Sequence, residues 1–173
     1  MNELKVSIGL LNPKSPENVA AVMRSAGNFR VDIVFYTGVR YSRALKSRRQ
    51  PVDMRRKVGQ YIPLNETACL IGEVAESMKI VCIELVENSV PLPIFQHPEH
   101  AFYIFGPEDG SINQDIIDKA DDVVYVPTVG CMNLSATVNV VLYDRIAKLS
   151  QLPQDNELIR QSRDVNNRLK LAL

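Results

Sequence analysis

The chain has 173 residues, with 20 basic and 20 acidic side chains. This length is typical of one globular domain, and a composition of 46% hydrophobic and 23% charged residues excludes an intrinsically disordered chain. No apolar run reaches the roughly 20 residues of a membrane helix, and the first residues lack the pattern of a secretory signal. We therefore expect a cytoplasmic protein without a membrane partner, folded as a single domain over residues 1–173.

Cysteine and histidine residues give no sign of a metal site. Cys69, Cys82 and Cys131 show no CxxC spacing, and the apolar neighbours of Cys69 and Cys82 predict buried, reduced thiols. His97 and His100 lie in a Pro-containing segment that has no further cluster of ligands nearby. Because a structural zinc ion needs four such ligands, we predict that no metal is bound.

Apolar runs and turn residues alternate along the chain and predict strands alternating with helices. Strands are predicted over 5–11, 31–38, 79–85, 100–106 and 123–127, and helices after Pro16, around 66–78, near 112–119 and over 134–149, before a charged tail over 155–173. This order predicts an α/β fold, with a mostly parallel sheet flanked by helices on both faces. Ligands bind beyond the carboxyl ends of such strands, so the polar loops 12–18, 106–112 and 127–135 are candidate site loops.

A strongly basic segment runs from residue 40 to residue 57, with eight Lys or Arg residues and a single acid, Asp53. Clustered cations bind a polyanion by releasing its counterions, which favours contacts with the phosphates of such a partner. A solvated helical face explains the same pattern, so both interpretations stay open. The candidate phosphate-binding residues, which would contact RNA if the partner is RNA, are Arg40, Arg43, Lys46, Arg48, Arg49, Arg55 and Arg56.

The first two candidate loops carry isolated polar residues in apolar surroundings. Arg24 follows Asn18 by six residues in a predicted helix, where Asn18 could cap the helix start. An isolated Arg among apolar residues suggests a functional role. In FGPEDGSI, a Gly-Pro turn after a strand allows close approach of a ligand to the backbone, and Glu108 follows. This segment is neither a Walker loop nor a GxGxxG fingerprint, which disfavours nucleotide hydrolases and dehydrogenases.

The third loop, VPTVGCMNLSATVNVVLYD, leads into the most apolar helix of the chain. Its backbone amides and carbonyls could hold an adenine ring by hydrogen bonds. The alternative is a simple helix entrance, in which Asn133 or Ser135 caps the helix.

Taken together, ENVAAVMRSA, FGPEDGSI and VPTVGCMNLSATVNVVLYD resemble the three motifs of the SpoU/TrmH family of knotted RNA ribose methyltransferases. They occur in the family's order within residues 5–150. The short length and the MNLS sequence resemble most the single-domain TrmL-like branch, which acts on tRNA.

The resemblance implies a deep trefoil knot over about 120–150, a homodimer with Arg24 near the partner's cofactor site, and S-adenosylmethionine as methyl donor, without a metal. It assigns catalysis to Arg24, with Asn18, Glu108, Asn133 and Ser135 shaping the pocket around the attacking ribose 2′-hydroxyl. It assigns cofactor contacts to Leu85, Gly106, Val126, Cys131 and Met132.

Two positions depart from the family pattern. Ser111 stands where the second motif usually has Gly, and Cys131 stands where the third motif usually begins with Ser. These departures leave room for an RNA-binding protein of the same fold without turnover. An enzyme that acts on rRNA, or on a base, is a further alternative, because the sequence contains no appended RNA-binding domain that would identify the substrate.

Overall fold

A parallel β-sheet forms the centre of the protein. The computed structural model describes residues 5–47, 61–149 and 155–171, and within these ranges seven strands form one sheet in the order β3-β2-β1-β6-β4-β7-β5. Every neighbouring pair is parallel. The strands are β1 (Val6–Leu10), β2 (Ile33–Tyr36), β3 (Leu64–Glu66), β4 (Lys79–Ile83), β5 (Val90–Pro91), β6 (Ala101–Phe105) and β7 (Asp122–Tyr125).

Five α-helices accompany the sheet within the described ranges, together with two short 3-10 helices. They are α1 (Pro16–Asn28), α2 (Arg40–Ser47), α3 (Gln114–Ile117), α4 (Leu134–Leu149) and α5 (Asn156–Ser162), with the 3-10 turns at Leu70–Glu73 and Leu92–Ile94. The predicted α/β fold with a mostly parallel sheet is confirmed.

The prediction of a helix around 66–78 is wrong. This segment begins in β3 and continues through the 3-10 helix Leu70–Glu73. Leu70, Ile71, Val74 and Met78 recur at a helix-like spacing, but they pack onto the sheet from a short turn and a loop. Apolar periodicity over so short a stretch does not distinguish these two arrangements.

The side chains of each strand alternate between the two faces of the sheet. Both faces therefore carry apolar side chains, and helices cover both of them. In β6, Tyr103 and Phe105 pack in one core cluster with buried residues of α1 and α4, such as Val22 and Val138. Phe102 and Ile104 belong to a second cluster with Leu70 and Ile112, against which residues of α3 also pack.

The start of α1 differs from the expectation that Asn18 caps it. Ser15 is the N-cap residue, since its hydroxyl accepts a hydrogen bond from the Asn18 N–H at 3.2 Å, and Pro16 is the first helical residue. Pro suits this position because its missing N–H has no intrahelical partner there. The Asn18 side chain is therefore available for other contacts.

One of the two cysteines expected to be buried is exposed. Cys82 lies inside β4, and burial raises the pKa of its thiol to about 12. Cys69 is exposed, because it precedes the 3-10 helix and the following residue, Leu70, occupies the core. Across the described residues, no helix has the length and apolarity to span a membrane, and no group of three or more His, Cys, Asp or Glu side chains could hold a metal ion.

A buried polar network connects α4 to the segment before β6. His97 lies between the Tyr103 hydroxyl, 2.6 Å from its Nδ1, and the Asp144 carboxylate, 2.9 Å from its Nε2. Arg145, which is 1% exposed, donates to the backbone oxygens of Pro98 and Glu99. The network fixes the position of residues 97–100. Of the two histidines in this segment, His97 belongs to the network and His100 does not.

The buried imidazole makes stability depend on pH. Burial lowers the pKa of His97 below its ordinary value of 6.5, although Asp144 acts in the opposite direction. The unfolded chain therefore takes up a proton first as the pH falls, so the contribution of His97 is complete above 6.5 and is lost progressively as the pH falls from that value through the lower pKa of the folded state. The expected slope is at most about 1.4 kcal/mol per pH unit.

Urea unfolding between about pH 7.5 and about pH 5 measures this effect. His97→Gln should lower the free energy of unfolding at neutral pH and flatten its pH dependence. His100→Gln is the matched control, because it leaves the contacts of His97 with Tyr103 and Asp144 in place, so the difference in slope between the two variants isolates His97. An equal slope in the wild type and His97→Gln would contradict the assignment.

Candidate functional site

A pocket lies at the carboxyl edge of the sheet, where β4, β6 and β7 end side by side. The empty space in it is about 740 Å³, a volume that includes open solvent at the mouth. Its lining residues are Ile83, Glu84 and Leu85 after β4; Phe105, Gly106, Pro107, Glu108 and Gly110 after β6; Tyr125, Val126, Thr128, Gly130, Cys131 and Met132 after β7; and Leu134 and Thr137 of α4. Two of the three candidate loops therefore form its walls.

All five residues predicted for the cofactor line this pocket, namely Leu85, Gly106, Val126, Cys131 and Met132. Gly106 lies where the backbone approaches a side chain closely, because a Cβ atom there would lie 3.1 Å from Glu84 Oε2. Apolar side chains with a few polar groups suit a flat heterocycle bearing polar substituents.

Glu108 links the second candidate loop to the first. Its carboxylate accepts hydrogen bonds from the backbone N–H groups of Lys14 at 3.0 Å and Ser15 at 3.1 Å, and from the Asn18 amide at 3.1 Å. Partial burial acts to raise the pKa of Glu108, but the hydrogen bonds from Lys14 and Asn18 outweigh it and hold the pKa below its ordinary value. Glu108 is thus a fixed carboxylate that organises the loop before α1.

The third loop joins the same chain of hydrogen bonds. The Asn133 amide donates to Asn18 Oδ1 at 3.0 Å. Its own oxygen accepts from the Ser135 N–H at 2.9 Å and the Ser135 hydroxyl at 2.7 Å, which makes Asn133 the N-terminal cap of α4. The side chain of Asn133 therefore caps α4 and also contacts Asn18 of the first loop, while its functional role stays a prediction.

Arg24 does not join this chain. It is exposed on α1, and its side chain makes no hydrogen bond or ion pair among the described residues. At 100° per residue it is turned about 120° away from Asn18 around the helix axis. The structure therefore brings Asn18, Glu108, Asn133 and Ser135 together and leaves the Arg24 guanidinium pointing to solvent.

The predicted RNA-binding residues fall into three groups. Arg40 forms two hydrogen bonds with the Asp109 carboxylate, at 2.8 Å and 2.9 Å, and Lys14 binds the same carboxylate at 3.1 Å. Arg43 and Lys46 are exposed on α2. Arg48, Arg49, Arg55 and Arg56 lie outside the described residues.

Lys14, Arg40 and Asp109 form an ion-pair cluster at the rim of the pocket, which we call the latch. Hydrogen bonds from Arg40 and then Lys14 lower the pKa of Asp109 to about 2, so its carboxylate stays charged. Arg40 is therefore already paired, contrary to the expectation of a cation available for phosphates. The latch holds the start of α2 beside the loop that follows β6.

Several pocket residues escaped the sequence analysis, and Glu84 is the most informative of them. It directly follows the apolar strand β4, and a carboxylate at the carboxyl end of a buried strand is a signal that could have singled it out. The two departures from the family pattern, Ser111 and Cys131, are both exposed, and Cys131 faces the pocket.

Comparison with known proteins identifies the family. The model of the SpoU rRNA Methylase family matches residues 5–143, which is most of the chain. The chain belongs to the SpoU rRNA methylase family. It is therefore an RNA methyltransferase by family, although a search of curated proteins finds no match.

Solved structures of RNA methyltransferases share the fold. The A. aeolicus TrmH/SpoU tRNA modifying enzyme has a TM-score of 0.70 and 16% identity, over 91% of this chain and 85% of that enzyme. A structure concerning 2-OH methylation of C/U34 on tRNA has a TM-score of 0.73 and 15% identity, over 87% of this chain and 100% of the other. The methyltransferase AviRb from Streptomyces viridochromogenes, in complex with AdoMet, has a TM-score of 0.67 and 15% identity, over 87% and 60%.

Proposed function

We propose that this protein methylates a ribose 2′-hydroxyl of RNA, with tRNA as the substrate and S-adenosylmethionine as the methyl donor. The observation that carries the proposal is the hydrogen-bonded chain Glu108–Asn18–Asn133, which joins all three motif loops beside one pocket. The family match, the AdoMet complex of one structural neighbour and the tRNA 2-OH methylation of another support it.

The pocket residues fit the donor. The apolar side chains of Leu85, Val126 and Met132 suit an adenine ring, and Gly106 leaves room for close approach to the backbone. S-adenosylmethionine supplies, when bound, a methyl group on a positively charged sulfur that is activated for transfer to oxygen. Cys131 lines the pocket in place of the family's Ser and can contribute backbone groups there.

The protein's own residues position the acceptor. Asn18 and Asn133 are fixed by Glu108 and Ser135, so their remaining hydrogen-bonding capacity is preorganised for ribose or phosphate oxygens. The guanidinium of Arg24 stays protonated in water and therefore cannot accept the hydroxyl proton as a base. Its role is to stabilise the developing alkoxide and to orient a phosphate. This division assigns the donor to the pocket and the acceptor to α1.

Arg24→Ala should lower the methylation rate by about 10²–10³ while donor affinity stays nearly constant, because a well-placed charged stabiliser contributes about this much. Arg24→Lys should restore little, because an ammonium group lacks the planar fork of guanidinium. Single-turnover transfer of labelled methyl groups to total RNA, with calorimetry of donor binding, measures both quantities.

Arg30→Gln is the matched control, since Arg30 is an exposed cation just after α1, and it should methylate at the wild-type rate. Wild-type rates in Arg24→Ala would overturn the role of Arg24. Mapping the modified nucleotide decides between tRNA, rRNA and a base. A wild type that binds donor and methylates no RNA would favour the non-catalytic alternative.

The exposed face of α2 is the part of the basic segment that the structure describes, and we propose that it contacts RNA phosphates. Arg43 and Lys46 are three residues apart, so they lie on one side of the helix, and the latch places the start of α2 at the pocket rim. Each phosphate contact should contribute roughly 0.7–0.9 to the slope of log affinity against log salt concentration.

Replacing Arg43 and Lys46 together with Gln should flatten that slope by about 1.4–1.8 in total and leave donor binding unchanged. The double variant Arg48→Ala/Arg49→Ala extends the test to the segment outside the described residues. RNA-binding titrations over a range of salt concentrations give the slopes. A wild-type slope in both variants would show that the basic segment is only a solvated surface.

The homodimer is also proposed, with α4 and α1 as interface elements. Val140 and Tyr143 lie on one side of α4, and Tyr143 is 66% exposed, so an apolar strip is available for a second copy. Sedimentation at micromolar concentration should give a dimer mass, and Tyr143→Glu should shift it towards the monomer. A monomeric wild type would contradict the proposal.

The remaining expectations stay predictions. They are the trefoil knot over about 120–150, the extent of a single domain over 1–173 and the cytoplasmic location.

A further inference from the structure

Glu84 places a carboxylate in the wall of the pocket, directly after β4. Its Oε1 accepts a hydrogen bond from the Leu85 N–H at 2.9 Å, and its Oε2 accepts one from the Ile112 N–H at 2.9 Å. Leu85 is itself a wall residue, and Ile112 ends the loop that follows β6. The carboxylate is therefore held in a fixed position between two walls of the pocket.

The charge of Glu84 has no cationic partner among the described residues. Both of its hydrogen-bond donors are neutral backbone N–H groups. Glu108, the other carboxylate of the pocket, also accepts hydrogen bonds only from neutral donors, namely two backbone N–H groups and an amide, while the nearby Arg40 guanidinium interacts with it electrostatically. Asp109, only one residue away on the rim, is instead paired with Arg40 and Lys14. The cations at the rim are thus paired with Asp109, whereas Glu84 keeps a negative charge in the pocket wall that no cation among the described residues pairs.

A carboxylate in the pocket wall distinguishes ligands by their charge, and the proposed reaction changes the charge of its ligand. The attacking oxygen forms a bond to the methyl carbon, the carbon–sulfur bond breaks, and its electron pair stays on sulfur. The hydroxyl proton passes to solvent water, and the cationic sulfonium becomes a neutral thioether. Donor and product therefore differ at this centre by one methyl group and one positive charge.

We infer that Glu84 gives the pocket its preference for the cationic methyl donor over the neutral thioether product. This inference rests on the proposed function. Glu84 is then a specificity-determining residue of the donor site, and its charge favours product release after each transfer. A carboxylate at fixed position in a partly enclosed pocket interacts with a ligand charge more strongly than one in bulk water.

Two other roles for Glu84 give different results. A purely structural role, in which it only holds the Ile112 N–H, affects the binding of all ligands alike. A role as acceptor for hydroxyl groups of the ligand's ribose also affects all alike, because donor and product share that ribose. The ratio of the two affinities separates charge recognition from both alternatives.

The experiment is calorimetry of the full chain with three probes: S-adenosylmethionine, S-adenosylhomocysteine, and the sulfur-free analogue sinefungin, which carries an ammonium group near the sulfonium position. Glu84→Gln keeps the shape and removes the charge. Glu84→Asp keeps the charge and shortens the side chain, so it loosens the hydrogen bonds to the loop. Asp118→Asn, on the exposed residue after α3, removes one negative charge away from the pocket.

In Glu84→Gln, the affinity for both cationic probes should fall about tenfold relative to that for the neutral product. Glu84→Asp should bind all three more weakly but keep the wild-type ratio, and Asp118→Asn should keep both the affinities and the ratio. An equal loss for all three probes in Glu84→Gln would overturn charge recognition and leave the donor assignment standing.

A wild type that binds none of the three probes would overturn the donor assignment itself, and the inference with it. Thermal unfolding of each variant establishes that it is folded. If Glu84→Gln does not fold, the ratio in Glu84→Asp at rising salt replaces it: screening should lower the preference for the cationic probes, and a ratio that salt does not change would overturn the inference.

Discussion

The site depends on the hydrogen bonds that the Glu108 carboxylate accepts from the Lys14 and Ser15 backbones and from Asn18. A parallel sheet brings the ends of β1 and β6 side by side, but nothing in the sheet itself fixes the loops that leave those ends. The Glu108 carboxylate connects the loop after β6 to the loop after β1 and fixes the position of the first residues of α1. Asn133 then adds the third loop and caps α4 with the same side chain.

Charge is distributed unevenly in a chain whose net charge is zero. Cations and a carboxylate compensate each other at the rim, where Lys14 and Arg40 meet Asp109. In the pocket, the hydrogen-bond donors to Glu84 and Glu108 are neutral, and Glu84 has no cationic partner among the described residues, while exposed cations line α2. A cationic small molecule and a polyanion can thus be attracted to neighbouring but separate parts of one surface.

The sequence predicted the main strands because each is a short apolar run that ends at a turn residue, and α4 because its apolar residues recur over sixteen positions. It missed β3 and β5, which have three and two residues and carry too little pattern. The order of strands was beyond reach, since β6 lies between β1 and β4 through contacts distant in sequence. The motif resemblance indicated Asn18, Glu108 and Asn133, but only the structure shows that Asn18 binds the other two. Glu84 lies outside the three motifs, so the resemblance could not indicate it.

The hydrogen-bonded chain from Asn133 through Asn18 to Glu108 has a polarity. Each amide donates towards Glu108, so the carboxylate ends the chain as an acceptor and fixes the orientation of both amides. An amide at position 108 would free the orientation of Asn18, and an acid at position 18 would set two carboxylates against each other. A single substitution at position 18 or 108 should therefore disturb these hydrogen bonds more than a compensating pair of substitutions at both positions. Over evolutionary time these three positions should drift together or not at all, as one inherited unit spread over three loops.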